Sequence, residues 1–178
     1  MKKYLNYMGS VMLLVATLML ATGCFAEKAA DKAENQEKFP AFKTLDLAGN
    51  TVTQDIFKGK KVTVINIWGT FCPPCKEEMP ALGAWASEMP KDAQIIGIVC
   101  DAKNENDKII ADAAVKIMES SNAKFVNLLP SKEIMGYLEN VAAVPTTIFV
   151  DSEGNILGKP VVGADVEKYK SRVREYLK

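Results

Sequence analysis

The sequence predicts an α/β fold in which helices flank a mixed central sheet and a β-hairpin precedes the first long strand. Two nearly continuous apolar runs, Val62–Trp68 and Gln94–Cys100, have the length and β-branched content of strands that are buried on both faces. Apolar residues at helical spacing follow the first run. A pair of strands and a closing helix end the chain, and this order of elements indicates a mixed sheet between layers of helices.

Turn signals and periodicity predict the individual elements of a folded part that spans residues 39–178. Apolar residues on both sides of Ala48–Asn50 indicate the N-terminal hairpin, and Asp151–Gly154 is the turn of the C-terminal hairpin. After the first long strand we predict, in chain order, a helix over 72–89, a strand over 94–100, a helix over 107–121, a strand over 125–129, a helix over 131–138, strands over 146–150 and 155–161, and a helix over 165–177.

The N-terminal part of the chain has the features of an export signal followed by a tether. Residues 1–23 combine a basic start with the apolar run Val11–Leu20, which describes a signal peptide. Ala21–Cys24 resembles the lipobox of bacterial lipoproteins and predicts a lipid on Cys24; ordinary cleavage and an uncleaved anchor are the alternatives. Residues 24–38 are polar and are predicted to form a flexible tether. Each alternative places the folded part outside the cytoplasm.

Composition excludes several classes of function. Lys plus Arg and Asp plus Glu number 22 each, so no excess of basic charge favours nucleic acid. The chain contains no histidine, which removes imidazole as a base, an acid or a metal ligand. We therefore expect neither a nucleic-acid partner nor a catalytic site built on histidine.

Cys72 and Cys75 are separated by two residues, a spacing that occurs in zinc sites, haem attachment sites, structural disulfides and redox centres. A closed zinc site needs two more ligands, and only Cys24 and Cys100 remain. A c-type haem needs a histidine after the second cysteine, where Lys76 stands. A structural disulfide would close a very short loop and constrain the unfolded chain little, so redox chemistry is favoured.

The position of this pair between a strand and a helix suits thiol–disulfide exchange. Cys72 is expected at the helix N-terminus, where free N–H groups and the helix dipole stabilise a thiolate. Pro73 and Pro74 occupy the first turn, where a missing N–H costs little. Cys75 falls one turn further on, on the inward side. The motif therefore predicts an accessible attacking thiol at Cys72 and a shielded resolving thiol at Cys75.

The same helix brings one carboxyl group to the side of the inner cysteine. At about 100° per residue, Glu78 falls on the face of Cys75, whereas Glu77 falls on the opposite face. A carboxyl group in an apolar setting has a raised pKa and can move a proton to or from the inner sulfur. The alternative is that Glu78 tilts outward as a surface charge.

The run Trp68–Pro80 resembles the signature of the TlpA/ResA-like branch of the thioredoxin superfamily. Further likeness is found at Phe39–Pro40, Asp46–Asn50, Gly59–Lys60, Val144–Thr147 and Asp151–Gly154. The resemblance implies a thioredoxin fold with an N-terminal hairpin and a cis-proline at Pro145 that faces the cysteines. It identifies Glu78 with the buried glutamate of ResA-like members. It also implies that the substrate is contacted by Trp68, Pro73, Val144 and Pro145.

The sequence also supports a prediction for each of three further residues. Asn66 stands where cytoplasmic thioredoxins have a buried aspartate, which argues against an ordinary thioredoxin. Tyr169 is predicted to pack in the core. Cys100 ends a strand next to that of the active-site motif, and a buried core cysteine is the favoured interpretation.

The resemblance implies a monomeric, extracytoplasmic thiol–disulfide oxidoreductase that reduces protein disulfides and is anchored to the bacterial cell membrane through Cys24. Implied partners are apocytochrome c or a methionine sulfoxide reductase as substrate, and a CcdA/DsbD-like membrane thiol transporter as electron donor. No metal and no cofactor beyond the Cys72–Cys75 disulfide are expected.

Two alternative functions remain open. A DsbA-like oxidase is the alternative enzyme, although residues 101–124 have room for one helix at most and so cannot form a helical insertion domain. A copper chaperone on the same fold is the alternative of another class, and the absence of histidine argues against it.

Overall fold

The computed structural model describes residues 37–178 of the chain. The predictions of a signal peptide over 1–23 and of a lipid on Cys24 lie outside the described residues, as does the tether predicted over 24–38 except for its last two residues. Lys38 forms an antiparallel bridge with Asn155, so the folded domain begins one residue earlier than the sequence predicted. Within 37–178, no helix is long and apolar enough to cross a membrane.

The described residues form seven strands, four α-helices and one 3-10 helix. In chain order these are β1 (Lys43–Leu45), β2 (Thr51–Thr53), a 3-10 helix (Gln54–Phe57), β3 (Val62–Trp68), α1 (Pro73–Glu88), β4 (Ala93–Val99), α2 (Lys108–Ser120), β5 (Asn127–Leu128), α3 (Lys132–Leu138), β6 (Thr146–Val150), β7 (Val161–Val162) and α4 (Val166–Tyr176).

A five-stranded mixed sheet in the order β5-β4-β3-β6-β7 forms the centre of the fold. Strand β3 pairs in parallel with β4 and antiparallel with β6, so both of its edges are hydrogen-bonded. The predicted mixed sheet is therefore confirmed, and β3 and β6 have the predicted bounds. Because β3, β4 and β5 are parallel, the loops that follow them lie at one edge of the sheet.

Both faces of β3 are buried, because alternate residues of a strand face opposite layers. Val64 and Trp68 pack in an apolar cluster with residues of α1 and α4. Ile65 and Ile67 pack in a second cluster, with the N-terminal segment of the domain and α3. Asn66 shares the parity of Val64 and Trp68, so this central strand directs one polar side chain toward α1 and α4.

The predicted N-terminal hairpin is present as the antiparallel pair β1–β2. Asp46 holds its turn by accepting hydrogen bonds from two backbone N–H groups of the turn. Gly49 has a φ of 84°, a left-handed conformation that glycine adopts without steric cost. The N–H of Leu129 donates to the carbonyl of Leu45 at 2.9 Å, so the hairpin docks beside β5 and covers that edge of the sheet.

Two strands are shorter than the sequence predicted. The strand expected over 155–161 is regular only at β7, because Pro160 lacks an N–H and Gly158 has a φ of 68° that interrupts the ladder. The strand expected over 125–129 is reduced to β5, since Pro130 cannot continue a hydrogen-bonded ladder.

Gly97 in β4 makes room for a buried polar pair behind the end of β3. The Nε1 of Trp68 donates to Asn127 Oδ1 at 2.8 Å, and both side chains are buried. A Cβ atom at Gly97 would overlap the Asn127 carboxamide and would lie 3.0 Å from Trp68 Nε1. The pair fixes the end of the strand from which the cysteine-bearing loop departs.

We expect Gly97→Ala to lower the free energy of unfolding by about 1–3 kcal/mol, because the added methyl group pushes the Asn127 side chain away from Trp68. Gly136→Ala is the matched control. No atom lies within 4 Å of a Cβ at Gly136 in helix α3, so this substitution should raise stability by about 0.5–1 kcal/mol. Urea denaturation of both variants measures the two values, and equal effects would contradict this account of Gly97.

Candidate active site

The two cysteines form a disulfide at the start of α1. Their Cα atoms lie 5.3 Å apart, and Cys72 is the N-cap residue of the helix. Its Sγ accepts a hydrogen bond from the Cys75 N–H at 3.3 Å. Pro73 and Pro74 have no N–H, so Cys75 provides the first amide donor of the helix, and this donor points at the Cys72 sulfur. The same donor and the positive end of the helix favour a thiolate at Cys72 once the disulfide is reduced.

The surface around the disulfide exposes one large aromatic side chain. Cys72 is 4% exposed and Cys75 is completely buried, so the two residues differ in the predicted direction, but Cys72 is not the openly accessible residue that the sequence predicted. Pro73 is exposed, and Phe71 is 66% exposed with its ring against Gly69. The sequence analysis did not single out Phe71; its place directly before the first cysteine was the available signal.

A carboxylate from the neighbouring strand end holds the loop before Cys72. Asp101 follows β4, and its oxygens accept hydrogen bonds from the Thr70 N–H at 3.0 and 3.2 Å and from the Thr70 hydroxyl at 2.5 Å. The loops after β3 and β4 are therefore tied together beside the disulfide. Sequence reasoning missed Asp101, because only the parallel pairing of the two strands brings it to Thr70.

A cis-proline lies opposite the disulfide, as the family resemblance implied. The peptide bond between Val144 and Pro145 is cis, and the Val144 carbonyl oxygen lies 3.6 Å from Cys72 Sγ. Pro145 is buried and Val144 is half-buried. The carbonyl of Pro145 accepts a hydrogen bond from the Gly163 N–H at 2.8 Å, which ties this loop to the segment before α4.

The structure does not place Trp68 where the sequence analysis expected it to contact substrate. Its side chain has no exposed surface, and its only polar atom is hydrogen-bonded to Asn127. Trp68 therefore anchors the loop before Cys72 from inside the core. Of the four predicted contact residues, Pro73 is exposed and Val144 is half-buried, whereas Pro145 is buried.

Glu78 is buried on the same side of α1 as Cys75. It is 5% exposed, so the predicted inward orientation is confirmed and the alternative of a surface charge is wrong. Asn66 Nδ2 donates to Glu78 Oε1 at 2.9 Å and also to Thr147 Oγ1 at 3.1 Å. Burial raises the pKa of Glu78, and the hydrogen bonds from Asn66 and Tyr169 oppose this rise only in part. The site therefore holds a carboxyl group whose charged form is less favourable than that of an exposed glutamate.

Tyr169 on α4 is more than the core residue that the sequence predicted. Its hydroxyl lies 3.1 Å from Glu78 Oε2 and 2.7 Å from the carbonyl oxygen of Gly163. Burial raises the pKa of Tyr169 to about 12, so the phenol stays neutral under ordinary conditions. Nothing in the local sequence distinguishes this tyrosine from one that packs through its ring alone.

Cys100 does not share the environment of the disulfide. It is half-buried against the second apolar cluster, and burial, with a smaller contribution from the charge on Asp101, raises its pKa to about 11. Such a thiol has little thiolate at neutral pH. Because the side chain is only half-buried, the prediction of a buried core cysteine holds only in part. Within residues 37–178 no cluster of three His, Cys, Asp or Glu side chains could hold a metal ion.

Comparisons with known proteins agree with this geometry. The chain is 30% identical over 162 residues to the thiol-disulfide oxidoreductase ResA of Bacillus thuringiensis, covering 89% of this chain and 84% of that protein. It is 28% identical to the thiol:disulfide interchange protein DsbE of Vibrio cholerae, covering 88% of this chain and 84% of that one. A crystal structure of a thioredoxin-family thiol:disulfide interchange protein from Chlorobium tepidum superposes with a TM-score of 0.63 at 21% identity, covering 81% of this chain and 98% of that one.

The Cys72–Cys75 disulfide on this fold, together with these relatives, makes the protein a thiol–disulfide oxidoreductase of the thioredoxin superfamily. The Redoxin family pattern matches residues 34–177, and the chain belongs to this family.

We expect Glu78→Gln to be more stable than the wild type at about pH 8. Folding raises the pKa of Glu78 above its ordinary value of 4.5, so the folded chain binds this proton more tightly than the unfolded chain does. Stability from this site is therefore present at low pH and is lost as pH rises through the folded pKa. The advantage of the Gln variant should shrink as pH falls toward 4.5, and denaturant unfolding across pH measures it. Glu77→Gln is the control; an equal pH dependence in both variants would contradict the assignment.

Proposed function

We propose that the protein is an extracytoplasmic reductant of protein disulfides in which Cys72 attacks, Cys75 resolves and Glu78 transfers a proton. The observation that carries this proposal is the pairing of two opposite environments on one helix. The helix N-terminus favours negative charge at Cys72, whereas burial disfavours it at Glu78. Thiol–disulfide exchange requires an anionic nucleophile, and a carboxyl group that changes its protonation state can exchange a proton with the inner thiol.

The reaction begins with the reduced pair. The Cys72 thiolate attacks one sulfur of a substrate disulfide, a mixed disulfide forms, and the second substrate sulfur leaves as a thiolate. Cys75 then gives its proton to the Glu78 carboxylate and attacks Cys72 Sγ. The Cys72–Cys75 disulfide forms, and the remaining substrate thiolate is released. Two electrons pass from the dithiol to the substrate.

When the Cys72–Cys75 disulfide is reduced again, the proton moves in the opposite direction, from Glu78 to Cys75. A donor thiolate attacks Cys72 Sγ, and Cys75 leaves as a thiolate that takes the proton from the neutral Glu78 carboxyl group. A second donor thiol then frees Cys72. Glu78 therefore carries one proton back and forth, which explains why a carboxyl group is kept in a setting where its charge is costly.

Location and partners follow from the N-terminal pattern and the family resemblance. The signal-like residues 1–23 and the lipobox-like segment that ends at Cys24 support export and a lipid anchor at the bacterial cell membrane. Disulfide substrates of the expected kind are apocytochrome c or a methionine sulfoxide reductase. A membrane thiol transporter of the CcdA/DsbD kind would return electrons to the Cys72–Cys75 pair.

We expect Glu78→Gln to slow the reduction of insulin disulfides at pH 7 by about tenfold or more, since it removes the group that accepts the Cys75 proton. The rise in wild-type rate as pH passes through the pKa of Glu78 should be absent in this variant. Glu77→Gln is the matched control, because Glu77 is the exposed neighbour on the same helix. If both variants behave alike, Glu78 has no role in proton transfer.

The reduction potential distinguishes a reductant from a DsbA-like oxidase. We expect the Cys72–Cys75 pair to equilibrate near the value of thioredoxin, about −270 mV, and far from the value of DsbA, about −120 mV. Equilibration with glutathione buffers, followed by trapping of free thiols, measures this potential. A value close to that of DsbA would assign the protein to the oxidases and overturn the proposed direction of electron flow.

A further inference from the structure

The hydroxyl of Tyr169 joins the buried Glu78 to the loop before α4. Besides Glu78 Oε2 at 3.1 Å and the Gly163 carbonyl oxygen at 2.7 Å, it lies 3.2 Å from the Asp165 nitrogen, whose N–H donates to it. Tyr169 is fully buried, so these groups and no bulk water satisfy its hydroxyl.

A phenol has one hydrogen to donate, yet two acceptors lie within reach of it. When Glu78 is neutral, the Tyr169 hydrogen goes to the nearer acceptor, the Gly163 carbonyl, and the Glu78 carboxyl group donates its own proton to the Tyr169 oxygen. When Glu78 is ionised, the Tyr169 hydrogen turns to the carboxylate, because a charged acceptor binds a hydrogen more strongly than a neutral carbonyl does.

We propose that Tyr169 is a positioning residue whose hydroxyl partners Glu78 Oε2 in both protonation states, as acceptor for the acid and as donor to the carboxylate. The inference rests on the proton-transfer role proposed above for Glu78. It adds a residue from the last helix, 91 positions from Glu78 in the chain, to the chemistry of the disulfide.

Among the described residues around Glu78, Tyr169 is the one whose side chain is hydrogen-bonded to Oε2. Asn66 from β3 and Thr147 from β6 carry no charge, and Asn66 Nδ2 serves only the other carboxylate oxygen, Oε1. Among the salt bridges formed within residues 37–178, none involves Glu78. Within residues 37–178, the Tyr169 phenol from α4 is the titratable group that is hydrogen-bonded to Glu78, and Cys75 lies on the same buried side of α1. Without the Tyr169 hydroxyl, Oε2 would be unpaired in either state.

The test compares Tyr169→Phe with Tyr176→Phe in the full protein. Tyr176 lies on the same helix, and its buried hydroxyl has no hydrogen-bond partner, so its removal is a matched control. Two single-turnover rates at pH 7 are measured: oxidation of the dithiol by insulin, which needs Glu78 as a base, and opening of the disulfide by dithiothreitol, which needs Glu78 as an acid. We expect Tyr169→Phe to slow both by about tenfold and Tyr176→Phe to leave both unchanged.

A double-mutant cycle shows whether Tyr169 acts through Glu78. Tyr169→Phe should add no further loss of either rate in a Glu78→Gln background, whereas a general loosening of the fold would slow that background too. An undiminished tenfold loss there would overturn the proposal. So would a Tyr169→Phe variant that slows one direction and accelerates the other, since the hydroxyl would then serve one protonation state only.

The same experiment separates the two proposals. If Glu78→Gln alone leaves both rates unchanged, the proton-transfer role of Glu78 fails, and the role of Tyr169 fails with it. If Glu78→Gln slows both rates and Tyr169→Phe slows neither, only the assignment of Tyr169 is wrong.

Discussion

The complete burial of β3 is the constraint on which the active site depends. This strand is hydrogen-bonded along both edges and covered on both faces, so contacts on every side hold its end to the sheet. The loop that carries the disulfide starts from that fixed end, with Trp68 bound to Asn127 below it and Thr70 bound to Asp101 beside it. Each of these contacts ties the loop to the same neighbourhood of parallel strands. The sulfur atoms are therefore held in place before a substrate arrives.

Two opposite electrostatic environments meet at the first turns of α1. At Cys72, the amide donor of Cys75 and the helix N-terminus stabilise negative charge. At Glu78, one turn beyond Cys75, burial removes the solvent that a carboxylate needs and raises its pKa. A single helix thus places a site that favours negative charge close to a site that disfavours it. Negative charge is favoured at Cys72 because the helix begins there. It is disfavoured at Glu78 because this residue lies on the buried face of the helix.

The polar cluster around Glu78 contains one buried group that is not hydrogen-bonded. The amide oxygen of Asn66, Oδ1, is buried without a hydrogen-bond partner, and a lone polar atom of this kind costs about 1–3 kcal/mol. The cluster of Asn66, Glu78, Thr147 and Tyr169 joins two strands to two helices. An all-apolar core at this place would avoid that cost, but it would lack the carboxyl group for which we propose proton transfer with the inner cysteine.

The sequence by itself determined the features that depend on local spacing. Strand periodicity placed β3 and β6, and helical periodicity put Glu78, and not Glu77, on the face of Cys75. The cysteine spacing and the missing histidine indicated redox chemistry. The tertiary structure alone decided that Trp68 is covered, that Asp101 clamps a loop 31 residues away and that Tyr169 reaches Glu78 across 91 residues. Periodicity shows which face of an element is buried. It contains no information about which distant element covers that face, because this is settled by packing between segments that the chain order keeps apart.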